Sequence, residues 1–76
     1  MPALPILSGR EAVRAFASLG WVEARRRGSH IVLVRDGSDV TLSVPDHREL
    51  GRGTLRGLIR CAELTVQEFL SAWQSL

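Results

Sequence analysis

The stretch that most limits how this chain can fold is Trp21-Val22-Glu23-Ala24-Arg25-Arg26-Arg27, then Gly28-Ser29, then His30-Ile31-Val32-Leu33-Val34. Two strand-forming runs flank a glycine-serine pair, and Gly-Ser suits the two-residue turn that joins antiparallel strands. A turn of that length sets cross-strand partners. Arg27 is expected opposite His30, Arg25 opposite Val32 and Glu23 opposite Val34, all six on one sheet face. The other face then carries Val22, Ala24, Ile31 and Leu33, with Arg26 and Arg35 at its margins. As the more apolar set, it is expected to face the core. His30 is therefore expected to open a strand at a hairpin tip and point to solvent, with Arg25 and Arg27 beside it.

The flanking sequence supplies helices and a third strand. Residues 1–7 read as an extended lead-in punctuated by Pro2 and Pro5. Ser8-Gly9-Arg10-Glu11 matches a capping box, in which hydroxyl and carboxylate satisfy amides at a helix start. Ala12, Val13, Phe16 and Leu19 follow at helical spacing as one apolar stripe, and Gly20 suits the helix stop. The second strand is expected to end near Arg35, because Asp36-Gly37 with Ser38 and Asp39 is turn chemistry. Val40-Thr41-Leu42-Ser43-Val44 alternates, predicting a strand that buries Val40, Leu42 and Val44 and ends at Pro45. From Thr54 a second helix is expected, with Leu55, Leu58, Ile59 and Ala62 inward. Arg52, Arg56 and Arg60 recur every fourth residue as a separate stripe. Thr65 and Glu68 form a second capping box, opening a short helix with Val66, Phe69, Leu70, Trp73 and Leu76 on its apolar side. The fold class is thus α+β: helix, three-stranded antiparallel sheet, helix and an extra C-terminal helix, in one domain over residues 1–76.

Charge placement narrows the partner. All ten basic residues are arginine and lie between Arg10 and Arg60, whereas residues 61–76 hold Glu63 and Glu68 and no cation. Guanidinium binds phosphate in bidentate fashion, and a positive body suits an anionic polymer. The single cysteine, Cys61, precludes an internal disulfide; it is expected to pack as a small hydrophobe in a protein of the reducing cytosol. The start of the chain does not read as a signal peptide, and no stretch is long enough to span a membrane. Two histidines and one cysteine at dispersed positions match no usual zinc spacing. Phosphate-loop and dinucleotide motifs are absent, so neither metal nor cofactor is expected.

The remaining chemistry is acid–base. An imidazole titrates near neutrality and can take a proton from a hydroxyl. RNA carries its own nucleophile, the ribose 2′-hydroxyl beside each phosphate. An RNA-cleaving site therefore needs a base and cations for the crowded phosphate. His30 fits the base and Arg25 and Arg27 the cations, with Ser29 in the adjoining turn a candidate RNA contact. His47, in the polar connection after the third strand, is a candidate acid. Arg52, Arg56 and Arg60 are candidates for holding the strand. Two other readings fit the same residues: a non-catalytic RNA-binding module, and a small domain that sequesters a partner through Val32, Val34 and Trp73.

Gly28-Ser29-His30, Val44-Pro45 with His47, Gly53-Thr54-Leu55-Arg56 and Leu58-Ile59-Arg60 with Ala62 resemble, in order and spacing, the HicA family of toxins. Gly20-Trp21 after the first helix fits the same pattern. The resemblance implies a fold similar to the double-stranded-RNA-binding domain, extended by a C-terminal helix. It implies an mRNA-cleaving toxin of a type II toxin–antitoxin pair, silenced by a HicB-type antitoxin, with the catalytic histidine at His30. Ile31 to Val34 is wholly apolar where members of the family often carry a second polar residue. Gly51 replaces a common proline, and Cys61-Ala62-Glu63 replaces a more usual Gln-Ala-Gly.

Overall fold

The computed structural model describes residues 3–76; Met1 and Pro2 of the expected lead-in lie outside them. Helix α1 (Gly9–Ser18) starts at the expected capping box. The Glu11 amide donates to Ser8 Oγ at 3.1 Å, and the Ser8 amide donates to Glu11 Oε1 at 2.9 Å. Strands β1 (Val22–Arg27), β2 (His30–Val34) and β3 (Leu42–Pro45) form one antiparallel sheet in that order, with β2 central. Helix α2 (Arg52–Cys61) and helix α3 (Val66–Gln74) complete the chain, and α3 opens on the second capping box, formed by Thr65 and Glu68.

One face of the sheet is dry. Ile31, Leu33, Leu42 and Val44 are buried with Ala12, Ala15 and Phe16 of α1, Leu55 and Ile59 of α2, and Phe69 and Leu70 of α3. The Phe16 and Phe69 rings meet at 5.0 Å between centroids, tying α1 to α3. The lead-in closes the core, because Leu4 and Leu7 are buried and the Leu50 amide donates to the Leu7 carbonyl at 2.7 Å. Trp21 is buried as β1 begins, with the Arg35 guanidinium 5.4 Å from its ring centroid.

Several expectations need correction, and each has a local cause. The register holds for Arg27 opposite His30 and Arg25 opposite Val32, but a bulge between Glu23 and Arg25 then shifts it. Glu23 comes opposite Leu33 and Val22 opposite Val34, rather than Glu23 opposite Val34. An extra residue on one strand flips the side-chain parity beyond it. Val22 and Ala24, expected in the core, are exposed, as is all of β1. β1 is an edge strand, and α1 and α2 pack over the β3 side of the sheet. Val32, expected on the wet face, is buried outside the core cluster. It sits mid-strand between Arg25 and Ser43, and an arginine stem shields apolar neighbours. Val40 precedes β3 and is exposed instead of buried. Trp73 packs partly against the core. Cys61, expected to pack inward, is exposed on the last turn of α2. Helix α2 begins at Arg52 rather than Thr54, capped only by backbone at Gly51.

Two helix ends share one geometry. After α1, the Gly20 amide donates to Ala17 O and the Trp21 amide to Phe16 O; after α2, the Glu63 amide donates to Arg60 O and the Leu64 amide to Ile59 O. Both are Schellman closures, whose key residue adopts a left-handed conformation. Gly20 does so at φ +97°, but at the second closure the residue is Glu63, at φ +60°. Elsewhere α1 meets the end of β3 so closely that a Cβ built on Gly9 would fall on the Pro45 carbonyl oxygen. Two substitutions should therefore act in opposite directions in urea denaturation. Glu63→Gly is expected to stabilise by about 1 kcal/mol through relief of left-handed strain. Gly9→Ala is expected to destabilise by roughly 1–3 kcal/mol, because neither helix nor strand can give way freely.

Candidate functional site

The hairpin tip is built by its turn. Gly28 has φ +60° and Ser29 is not left-handed, which matches the II′ turn that keeps the twist of antiparallel strands. Arg27 and His30 close the turn as direct partners; the Cβ atoms of such a pair stand about 5 Å apart. Arg25 follows on the same face, opposite Val32. His30, Arg25 and Arg27 are all exposed. On its other flank His30 pairs with Pro45, the last residue of β3. The imidazole thus opens to water on the sheet face away from the helices, with one guanidinium across from it and a second one step along.

Beyond Pro45 the chain turns under this tip. The Asp46 amide donates to the Ser29 carbonyl at 2.7 Å, and the Gly9 amide donates to the His47 carbonyl at 2.9 Å. His47 is exposed two residues past the partner of His30, at the same end of the molecule. Asp46 Oδ2 accepts from Arg26 Nη1 at 2.7 Å and from Arg10 Nη2 at 3.3 Å. The Arg26 hydrogen bond chiefly holds the Asp46 carboxyl below the ordinary carboxylate range. Desolvation opposes this, while the charges of Arg10, Arg26 and His47 assist. Arg26 alternates with Arg25 and Arg27 along β1, so it turns to the other face and is taken up by Asp46.

The α2 arginines are placed differently. Arg52 starts the helix, and its Nε donates to the Leu4 carbonyl at 3.1 Å. Arg56 and Arg60 follow about 6 and 12 Å further along the axis. All three are exposed, but α2 belongs to the helix layer behind the sheet. The structure therefore brings His30, Arg25, Arg27 and Ser29 together, sets His47 nearby, and leaves the arginine stripe on another side. Sequence reasoning missed Asp46 with Arg10 and Arg26. Its one visible signal was an acid directly after the strand-ending proline.

Among the described residues no three metal-ligating side chains come together, and no helix is long and apolar enough to cross a membrane. A cleft of about 580 Å³ lies between the end of α1 and α3, lined by Leu19, Ala72 and Leu76 among polar groups. It contains no histidine or arginine and lies at the opposite end of α1 from the tip.

Comparison with known proteins adds one finding. The family model described as HicA toxin of bacterial toxin-antitoxin matches residues 9–64, from the first residue of α1 to just past α2. No curated protein matches the chain.

The Asp46 cluster makes stability depend on pH. A carboxyl whose folded pKa is depressed contributes stability that is present above the unfolded value and is lost as pH falls through the folded one. Thermal midpoints should therefore drop on acidification below about pH 4, the ordinary aspartate range. Asp46→Asn is expected to flatten that drop. It should not abolish it, because Glu68, held low by the Thr65 backbone and side chain, titrates in the same direction.

Proposed function

The chain belongs to the HicA family of toxins, and we propose that it exerts toxicity by cleaving mRNA, with His30 as general base. The observation that carries this reading is the exposed His30 ring at the hairpin tip with Arg27 directly opposite. The Nε2 or Nδ1 lone pair of His30 takes the proton of a ribose 2′-hydroxyl. The 2′-oxygen attacks the adjacent phosphorus, the bond from phosphorus to the 5′-oxygen breaks, and a 2′,3′-cyclic phosphate forms. The leaving 5′-oxygen takes a proton from His47 or from water. Arg25 and Arg27 stabilise the charge that builds on the phosphoryl oxygens, where fixed donors act most strongly. Ser29 lies in the turn beside the scissile phosphate.

Arg52, Arg56 and Arg60 support a more distant role. They hold RNA that passes round the edge of the sheet, and contribute affinity rather than chemistry. Nothing in this sequence of steps calls for a metal, since base and cations both come from side chains. The partner that silences the toxin is a HicB-type antitoxin. Its surface should be acidic where it covers Arg25, Arg27 and His30.

His30→Ala is expected to lower the rate of mRNA cleavage by purified protein at least about 100-fold, with an unchanged denaturation midpoint. Wild-type cleavage is expected to survive a chelator. A His30→Ala protein that cleaves as fast as wild type would remove the histidine from the mechanism. Salt-sensitive RNA binding by wild type without new RNA ends would favour the non-catalytic module.

A further inference from the structure

We propose that Asp46 is the positioning residue of the hairpin tip, setting both the geometry of His30 and the face on which RNA binds; this rests on the ribonuclease reading above. Beyond its strand pairing the tip has little side-chain packing to hold it. All six residues of β1 are exposed, and so are Gly28, Ser29 and His30, so core packing near the tip begins only at Ile31. Asp46 supplies the ties that packing does not. Its amide reaches the Ser29 carbonyl at 2.7 Å, next to His30 in the chain. Its carboxylate reaches Arg26 on β1 at 2.7 Å and Arg10 on α1 at 3.3 Å. The neighbouring His47 carbonyl receives the Gly9 amide at 2.9 Å, where α1 has no room for a side chain. One residue thereby joins strand, turn and helix at the end that carries His30.

The same contacts sort the cations. Arg25, Arg26 and Arg27 are consecutive, and alternation places Arg26 on the opposite face from the other two. Asp46 engages Arg26 and Arg10 together, so neither offers a free charge to phosphate. Among the described residues Arg25 and Arg27 make no ion pair, and they lie on the His30 face. Removing the carboxylate frees two guanidinium groups on the wrong side of the strand. RNA then binds at least as well, but more of it binds away from His30.

The two effects predict an unusual pairing of results for Asp46→Ala. Turnover should fall about tenfold or more, since small misplacement of a catalytic group is costly. RNA affinity should be unchanged or tighter, with a steeper salt dependence. Amide hydrogen exchange should quicken at Gly9, residue 46 and the 26–31 hairpin. A merely structural loss would instead lower turnover and affinity together, in step with the folded fraction, and would overturn the proposal. So would wild-type turnover with unchanged exchange. Asp46→Asn, which keeps an acceptor for the guanidinium but no charge, is the second variant if Asp46→Ala folds poorly; it should show the same pairing with smaller amplitude. If wild type cleaves no RNA, the ribonuclease reading fails, and hydrogen exchange alone decides whether Asp46 holds the tip.

Discussion

A two-residue turn leaves no slack in the pairing of the strands it joins. With Gly28 in a left-handed conformation and Ser29 beside it, Arg27 and His30 must face each other. Parity then carries Arg25 to the same face and Arg26 to the other. A turn longer by one residue would point the imidazole at the helices and bring Ile31 into water. The burial of Ile31 and Leu33 in the core therefore puts His30 on the opposite face, where it is exposed. Core packing and the proposed chemistry rest on the same register.

Around that tip the molecule is drawn together by backbone as much as by side chains. The segment from Pro45 to His47 pairs with β2, receives the α1 N-terminus and supplies the carboxylate for two arginines. These are contacts among parts distant in sequence, and most lie at the surface. Surface ion pairs contribute little to stability as a rule. Their weight here lies in orientation, because among the described residues they engage Arg26 and leave Arg25 and Arg27 without an ion pair. An exposed, highly charged edge strand also resists pairing with other sheets, so β1 can stay open without promoting aggregation.

Much of the architecture was legible in the chain because it depends on local chemistry. Both capping boxes formed where Ser8–Glu11 and Thr65–Glu68 predicted them. The hairpin formed at Gly28-Ser29, and Leu42 and Val44 alternate inward as their spacing implies. What escaped depends on tertiary context. The bulge at Glu23–Arg25 has no glycine or proline to announce it, and it moved Val22 outward. Val32 is buried although alternation places it on the wet face. Cys61 ended outside because α2 is inward on the Leu55 and Ile59 side alone. For the site, His30 with Arg25 and Arg27 followed from strand parity. The Asp46 cluster did not, because it needs α1 and β3 to meet through Gly9. Glu63, at φ +60°, shows that a Schellman closure can form without glycine at its left-handed position.

The central claim is that the substrate's own 2′-hydroxyl is the nucleophile and that His30 activates it. It is tested most directly by an RNA in which the residue at the mapped cleavage site is replaced by its 2′-deoxy counterpart. The account predicts that this RNA binds normally but is not cut there, while the all-ribose RNA yields a 2′,3′-cyclic phosphate and a 5′-hydroxyl. Cleavage of the deoxy-substituted bond, or a 3′-hydroxyl and 5′-phosphate on the normal substrate, would show that water attacks instead and would contradict the account.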